Sequence, residues 1–577
     1  MPRIAVIDKE LCTPKKCGHE CSKFCPVNRK GEECIKIFEK SHIDEVLCIG
    51  CGICQNKCPF GAITIVNLPE SLKESPIHRF GENEFALFRL PIPMKGIVGL
   101  LGPNGVGKTT ALKILSGQLA PNLGNIEGFA LHKKIEKTDW GEIIKLHRGT
   151  ELQDYLERLS RNEITAVYKP QNISALAKLD NCLKDALESD ELIKKLELGN
   201  CLDRKLAELS GGELQRTAIG IALSRDVDFY YIDEPSSFLD VKQRLNVARL
   251  LHEIAEKKYV VVVEHDLATL DFLADRIHIF YGEPSVYGIV SKPYSARSGI
   301  NIFLGGYIKE DNVRIRDPII FEPATFDEKK KKNILVQFEN IAKKYNGFSL
   351  SVERGEIYQN EVLGVFGSNA LGKTTFAKIL AGIESYEGTI SRAVKISYKP
   401  QYIESDFDGT VNELLASEKN TESSEFKMLE MHLGIERLRE KIVKNLSGGE
   451  LQRISIALCL AKECDLFLLD EPCAYLDVDQ RLAAAKAIRT AADGKAALVI
   501  DHDLMFLNHI ADRAMLFSGV SGKNGSAETI SLKNGFNKFL KETQMTFRRD
   551  NETKRMRANK LGSTKDRDQK EKGEYYL

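Results

Sequence analysis

The sequence has no net charge and no apolar run of membrane length. Its 82 lysines and arginines balance 82 aspartates and glutamates. No global field therefore draws it to nucleic acid, and any contact with RNA must come from local patches. No apolar stretch approaches the roughly 20 residues of a membrane helix. The longest, Ile97–Leu101 and Val260–Val263, read as buried strands. The opening MPRIAVIDKE has acidic residues and no long apolar core, unlike a signal peptide. A cytosolic protein without membrane contact is the expectation. With 577 residues, 43% of them hydrophobic and 28% charged, the chain is long enough for three or four globular domains.

Cysteine is plentiful and clustered. Nine of the 14 cysteines precede Pro59, a distribution that suggests metal rather than disulfides. Cys48, Cys51, Cys54 and Cys58-Pro59 have the spacing of a bacterial two-cluster ferredoxin, in which the cysteine before proline reaches across to the other cluster. The first run, Cys12, Cys17, Cys21 and Cys25-Pro26, is looser but also ends in Cys-Pro. By that crossing rule Cys12, Cys17, Cys21 and Cys58 hold one [4Fe-4S] cluster, and Cys48, Cys51, Cys54 and Cys25 hold the other. Zinc is the alternative, but zinc seldom needs four cysteines in one eleven-residue run. Cys34 is left over, and His19 reads as a solvated side chain. Lys15, Lys16, Lys23, Arg29 and Lys30 surround the first run and either offset cluster charge or face RNA phosphates.

Behind the cysteines lies an internal repeat. Gly102-PNGV-Gly107-Lys108-Thr109 recurs as Gly367-SNAL-Gly372-Lys373-Thr374, each after an apolar strand and before a helical stretch. That is the context of a phosphate loop. Its backbone N–H groups cradle phosphates, its lysine neutralises β/γ charge and its threonine holds magnesium. Ser210, Asp233 and His265 recur as Ser447, Asp470 and His502, each 237 positions on. Asp233-Glu234 and Asp470-Glu471 close apolar strands. The aspartate suits magnesium, and the glutamate suits polarising the attacking water. His265 and His502 end further strands, in reach of a γ-phosphate.

The copies differ in one place. Lys108 and Gln171 are 63 positions apart, whereas Lys373 and Gln401 are 28 apart, so the first copy carries an insertion of 35 residues. Its part 139–161 has helical spacing with Gly141 and Gly149, and reads as a surface helix–loop–helix that serves docking.

LSGGELQR at Leu209–Arg216 and again at Leu446–Arg453 is the ATP-binding-cassette signature. The order of cysteine module, cassette with insertion, hinge, cassette and basic tail resembles the subfamily E cassette proteins, the RNase L inhibitor family. CPFGAI (58–63), DEPSSFLDVKQRL (233–245), VEHDL (263–267), GINIFLGGY (299–307) and TFRRD (546–550) carry the likeness. The expected fold is multidomain α/β. It comprises a ferredoxin-like two-cluster domain (1–72), a first cassette (73–283), a hinge (284–320), a second cassette (321–529) and a C-terminal hinge with basic tail (530–577). The charged stretch 322–332 reads as a solvated connection.

The resemblance implies a head-to-tail pair of cassettes with two composite ATP sites. Site one would join Gly102, Asn104, Gly105, Gly107, Lys108, Thr109, Thr110, Gln171, Asp233, Glu234 and His265 to Ser447, Gly448 and Gly449. Site two would join Gly367, Asn369, Gly372, Lys373, Thr374, Thr375, Gln401, Asp470, Glu471 and His502 to Ser210, Gly211 and Gly212. Thr109 with Gln171, and Thr374 with Gln401, would hold Mg2+. Asp240 and Asp477 would couple the sites. Phe80 and Phe85, and Tyr345 and Phe348, are the aromatics placed to stack on adenine. Arg297, Arg314, Arg316 and the tail cations Arg548, Arg549, Lys554, Arg555, Arg557 and Lys560 would line the hinge or touch rRNA.

The implied function is ribosome splitting after termination or stalling, driven by ATP. The implied partners are the small subunit and a class-1 release factor or its stalled-ribosome paralogue, with further roles in initiation, alongside initiation factors, and in ribosome biogenesis. The chain would act as a monomer. Competing readings are an ATP-gated electron carrier, for which no flavin or nicotinamide site is evident, and a passive inhibitor of an endoribonuclease, against which the intact Glu234 and Glu471 argue. A transporter ATPase is the third, without membrane spans to support it. Three departures from the family pattern stand out: Ala370 in the second phosphate loop, Asp501 before His502, and Cys473 after Glu471-Pro472.

Overall fold

The computed structural model describes residues 3–576 except 8–10, 45–46, 68–74, 82–83, 125–139, 172, 322–332, 346, 392–393, 402–406, 417, 419–420, 422 and 561. The solvated connection expected at 322–332 lies outside the described residues, as does the start of the insertion.

The N-terminal module is small. Arg3–Ile7 pairs antiparallel with Ile63–Asn67, closing the module on itself, and Ile35–Ile37 pairs with Ser41–Ile43. Short helices at Glu20–Lys23, Pro26–Arg29 and Ile53–Lys57 carry cysteines or start just after them. Its core is mostly sulfur and β-branched carbon: Cys12, Cys21, Cys25, Cys34 and Cys54 are buried with Val27, Ile35, Ile43 and Ile63.

Each repeat forms its own twisted sheet. In the first, Ala166–Lys169, Phe229–Asp233, Tyr259–Val263, Gly96–Leu101 and Arg276–Glu283 lie side by side and parallel. In the second, Ile396–Lys399, Leu466–Asp470, Ala496–Ile500, Glu361–Phe366 and Arg513–Val520 repeat that order. These strands are continuous hydrophobic runs because helices cover both faces. The parallel register brings the ends of neighbouring strands to one edge, where the phosphate loops sit. Antiparallel strands extend each sheet on the far side, including the long pair Ile334–Tyr345 and Phe348–Tyr358 in the second.

Residues 287–295, inside the segment expected as hinge, run as strands Tyr287–Val290 and Tyr294–Ser295 of the first sheet. The helix Ala296–Gly305 follows. The tail folds onto the second cassette: helix Leu532–Thr543 and hairpin strands Phe547–Arg549 and Met556–Ala558 bury Phe536, Phe539, Phe547 and Met556 in its core. The helix Thr564–Lys572 completes the tail.

The insertion forms two helices, Trp140–Leu146 and Glu151–Ser160. They do not merely decorate the surface. Ile143, Leu152, Tyr155 and Leu156 are buried in a core with strand residues Phe229 and Tyr231, and the Tyr155 hydroxyl meets that of Tyr231 at 2.7 Å. The outward face is polar apart from Leu146, which is 58% exposed.

Tail and first cassette are joined at the buried carboxylate of Asp271, besides the contacts of Asp550 with Asn301 and Arg297. Asp271 accepts from Arg555 Nη1 at 3.2 Å and from Arg557 Nε at 2.9 Å, and the Arg555 side chain is 0% exposed. Removing one partner of a buried ion pair strands the other charge. Asp271→Ala should therefore weaken tail docking by about 3–5 kcal/mol. Hydrogen exchange at 546–558 should rise sharply in this variant, and unchanged protection there would contradict the assignment.

Candidate active site

Both phosphate loops run from a buried strand into a helix, Gly96–Leu101 into Lys108–Leu115 and Glu361–Phe366 into Lys373–Leu380. The turn needs glycine at its end. Gly107 has φ +90° and Gly372 φ +93°, and a β-carbon would meet the rings of Phe85 and Phe348 at 2.5 and 3.1 Å. Those two rings therefore pack beneath the loops. Phe80 lines the first cavity beside Phe85, and Tyr345 stands 42% exposed at the second site. Phe85 lines the same cavity as Phe80, and the Lys343 ammonium lies over the Tyr345 ring at 5.3 Å.

The lysine ammonium groups cap their own loops. Lys108 Nζ donates to Gly102 O and Pro103 O at 2.7 and 2.6 Å, and Lys373 Nζ to Gly367 O and Ser368 O at 2.9 and 2.6 Å. Burial pushes both lysines down to about 8. The strongest opposing pull comes from the other cassette, Asp477 for Lys108 and Asp240 for Lys373. Bound phosphate would restore the charge.

A cavity of about 320 Å³ at the first loop is lined by Asn104, Gly105, Gly107, Lys108, Thr109, Thr110, Gln171, Asp233, Glu234 and His265. Thr109 Oγ1 lies 3.4 Å from Asp233 Oδ2. Gln171 Nε2 donates to Glu234 Oε1 at 2.7 Å, and His265 Nε2 lies 3.7 Å from the same oxygen. Site two repeats this, with Gln401 Nε2 on Glu471 Oε1 at 2.7 Å and His502 Nε2 at 3.5 Å. Both oxygens of Asp470 are buried without a hydrogen-bond partner, and burial lifts its carboxyl to about 6. A buried orphan acceptor beside a phosphate-loop threonine fits a magnesium ion. Thr374 and Gln401 would complete that ion's ligand field at site two, as Thr109 and Gln171 would at site one.

The two glutamates differ in charge setting. Burial, then the charge of Asp233, raises Glu234. Burial also works on Glu471, but the His502 and Gln401 hydrogen bonds and Lys373 outweigh it and hold it at about 2. Both occupy left-handed backbone, φ +45° and +47°. Two non-glycine residues strained alike at matched positions mark a conformation the site imposes.

Several supports were not singled out from the sequence. Lys169 donates to the Asp233 carbonyl and Lys399 to the Asp470 carbonyl, each at 2.9 Å. Gln215 and Gln452, inside the signature helices, donate to the Glu234 and Glu471 carbonyls at 2.7 Å. The repeat held the signal, since each pair sits at matched positions in both copies.

The cassettes meet head to tail. Asp477 Oδ2 accepts from Asn104 N at 3.1 Å, and Asp240 Oδ2 accepts from Asn369 N at 2.9 Å. Each aspartate also caps its own helix through Gln480 N or Gln243 N at 3.0 and 2.9 Å. One carboxylate thus ties a helix start to the opposite phosphate loop, which is a mechanical link between sites. Signature Gly212 lies beside Asn369, and Phe238 meets Tyr475 edge to face at 6.0 Å. Ser210 and Ser447 bond to Glu213 and Glu450 of their own helices. Ser447, Gly448 and Gly449 do not line the first cavity. The first signature lies against the second loop through Gly212, and further closure would bring both signatures onto phosphate.

Two departures turn out to be scaffold. Asp501 accepts from Asp503 N and Cys473 N at 2.8 and 3.0 Å, as Glu264 accepts from Asp266 N and Ser236 N at 3.0 and 3.3 Å. Both carboxylates pin the turn carrying the histidine. Ala370 differs, because its φ is +56°. A β-carbon there costs about 1 kcal/mol. Ala370→Gly should stabilise the second cassette by about 0.5 kcal/mol, net of glycine's entropy. Thermal unfolding checks the sign, and a lower midpoint would contradict it.

In the N-terminal module some of the thiols lie near one another, although among the described residues no three draw together as a formed metal site. Cys21 feels the charges of Cys12 and Cys58, whereas Cys54 feels Cys48 and Cys51, and burial pushes both thiols up. Backbone N–H groups of Ala5 and Ser41 point at Cys48 and Cys12 sulfur, both at 3.4 Å. Sulfur-directed N–H donors in a buried thiol set suit iron–sulfur ligation. Cys17 is half-buried at the end of the Pro14–Lys16 turn. Cys34 is buried beside Cys25 and Cys48. His19 bonds to the Pro14 carbonyl at 3.1 Å.

The family models agree with this geometry. An ABC transporter model matches 88–237 and 347–474, a "possible Fer4-like domain in RNase L inhibitor" matches 2–33, and a 4Fe-4S binding domain matches 41–64. An uncharacterized ABC transporter ATP-binding protein of Methanocaldococcus jannaschii is 50% identical over 100% of this chain and 97% of its own length. Translation initiation factor RLI1 of Saccharomyces cerevisiae is 42% identical over 100% and 98%.

The chain belongs to the subfamily E cassette proteins, the RNase L inhibitor family.

As a subfamily E protein it is an ATP hydrolase with two [4Fe-4S] clusters and magnesium-dependent nucleotide sites. Among solved structures, archaeal ABCE1 in a model of ribosome-bound Pelota and ABCE1 superposes with TM-score 0.93, 48% identity and coverage of 100% and 99%. An archaeal ribosome recycling factor complexed with the ribosomal stalk protein aP1 gives TM-score 0.80 and 48% identity, covering 88% of this chain and 99% of that one. No described helix is long and apolar enough to cross a membrane.

Proposed function

We infer that this subfamily E protein is the ATP-driven clamp that splits ribosomes into subunits after termination or stalling. The reciprocal contact of Asp240 and Asp477 with the opposite phosphate loops carries the reading. It makes the distance between cassettes depend on what each loop holds.

Triphosphate binds on the N–H groups of the loops, with Lys108 and Lys373 on the β- and γ-phosphates. The signature Ser447 and Ser210 then close on the γ-phosphate from across the interface. Glu234 and Glu471 each accept a proton from water as its oxygen attacks the γ-phosphorus and the bond to the β-phosphate oxygen breaks. His265 and His502 orient that water or the γ-phosphate. Phosphate and ADP depart, and the clamp reopens. The clusters, when bound, supply rigidity to a module that has little other core, and the module moves as one body with the first cassette. Its swing would press on the small subunit or on a bound release factor, or on the factor's stalled-ribosome paralogue, and wedge the subunits apart.

The same closed state would keep the protein on the small subunit, near initiation factors. One chain holds both composite sites, so it acts as a monomer in the cytosol. The proposed moving parts are the module 1–72, the first cassette with the hinge strands and helix that pack into it, and the second cassette with the tail folded into its core. Co-sedimentation with purified small subunits tests the closed-state claim. A non-hydrolysable ATP analogue should retain the protein and ADP should release it. Equal retention with both would refute it.

A further inference from the structure

We propose that the cleft between the hinge helix Ala296–Gly305 and the C-terminal tail binds a compact polyphosphate, a small molecule carrying several phosphates close together. The cleft has a volume of about 330 Å³ and is lined by Arg297, Arg548, Arg549, Arg557, Lys565 and Lys572. It matches the first nucleotide cavity in size. In a chain with zero net charge, six cations facing one small space is a local excess that invites an anion.

Two of those six charges are already compensated. Arg557 is held by Asp271 and Arg297 lies 3.5 Å from Asp550, whereas Arg549 only donates to the neutral Tyr576 hydroxyl, at 2.8 Å. Among the described residues, Arg548, Lys565 and Lys572 have no carboxylate within ion-pair distance, although Asp568 also lines the cleft. Arg548 Nε is buried without a hydrogen-bond partner. Burial and the charges of Arg557 and Arg297 push the Arg548 guanidinium below its ordinary value. Such strain is relieved by a multivalent anion and not by solvent alone.

The shape favours a small ligand over a nucleic acid strand. The cations converge from three elements, the hinge helix, the tail hairpin and the last helix. They do not form an extended track, and no aromatic side chain lines the cleft to stack a base. The position suggests the consequence. Arg297 leads the hinge helix of the first cassette, whereas the tail is packed into the core of the second. A ligand bridging them would hold the pivot and slow the ATP cycle.

The test is calorimetric titration of inositol hexakisphosphate into the full chain, with both cassettes saturated by Mg·ADP. The wild type should bind one equivalent. The Arg548→Gln/Lys572→Gln variant should lose about tenfold or more in affinity. Lys572→Gln alone, on an exposed side chain that cannot harm the fold, should lose severalfold. Lys145→Gln/Lys427→Gln, which removes exposed cations elsewhere, should bind as wild type. ATP turnover should fall about twofold or more on ligand addition in the wild type, and stay constant in the double variant. No binding below about 1 mM, or equal affinity in all variants, would overturn the proposal. So would binding of a single-stranded oligoribonucleotide that depends on Arg548 and Lys572 when inositol hexakisphosphate does not bind, since the cleft would then serve an RNA backbone.

Discussion

Replacing Glu234 and Glu471 together by glutamine lowers steady-state ATP hydrolysis by about 10²–10⁴-fold, the usual contribution of a positioned general base. The change is nearly isosteric. A glutamine oxygen can still accept from Gln171 or Gln401, which donate to the carboxylates at 2.7 Å. What is lost is the ability to take the proton. Each single variant should lose at least its own site's turnover. The loss should exceed that share, because Asp240 and Asp477 tie each site to the opposite loop. ATP binding should survive and the closed state should accumulate. Full turnover in the double variant would remove these residues from the chemistry.

Cys54→Ser has the second large effect. Cys54 is 6% exposed in a core built largely of cysteine sulfur. Two-stranded pairings such as Arg3–Ile7 with Ile63–Asn67 are marginal alone. Metal binding is then folding free energy. Iron content should fall from about eight to about four atoms per chain, and limited proteolysis should cut within 1–72. ATP hydrolysis by the isolated protein should persist, because the large cores around Glu234 and Glu471 take only Val6 from the module. Ribosome splitting should be lost. A variant that keeps both clusters would contradict the assignment of Cys54 as a ligand.

Much of the site was legible because its signals are local. Phosphate loop, signature and Asp-Glu pair each need a fixed residue order within a few positions, and the repeat shows every one twice. The cysteine spacing announces the iron–sulfur module, while the division of the cysteines into two crossed sets remains a proposal. What stayed hidden depends on long-range packing. Arg555 and Asp271 are 284 positions apart, and no local pattern marks a fully buried arginine in a basic tail. The inner face of the insertion is visible only once Tyr155 meets Tyr231. The left-handed backbone of Glu234 and Glu471 carries no glycine to announce it. That Phe85 and Phe348 lie against the glycine turns of the phosphate loops is likewise a contact no local pattern shows. The Asp501 departure resembled a change in chemistry by sequence, but its hydrogen bonds make it a shorter version of Glu264.

Subunit splitting followed by density-gradient sedimentation tests the central claim most directly. Post-termination ribosomes are mixed with the holo-protein, ATP, and a release factor or its stalled-ribosome paralogue. Free subunits should appear with ATP, and should be absent with ADP and with Cys54→Ser. Intact ribosomes persisting with a protein whose two clusters and ATPase activity have been verified would contradict the splitting function.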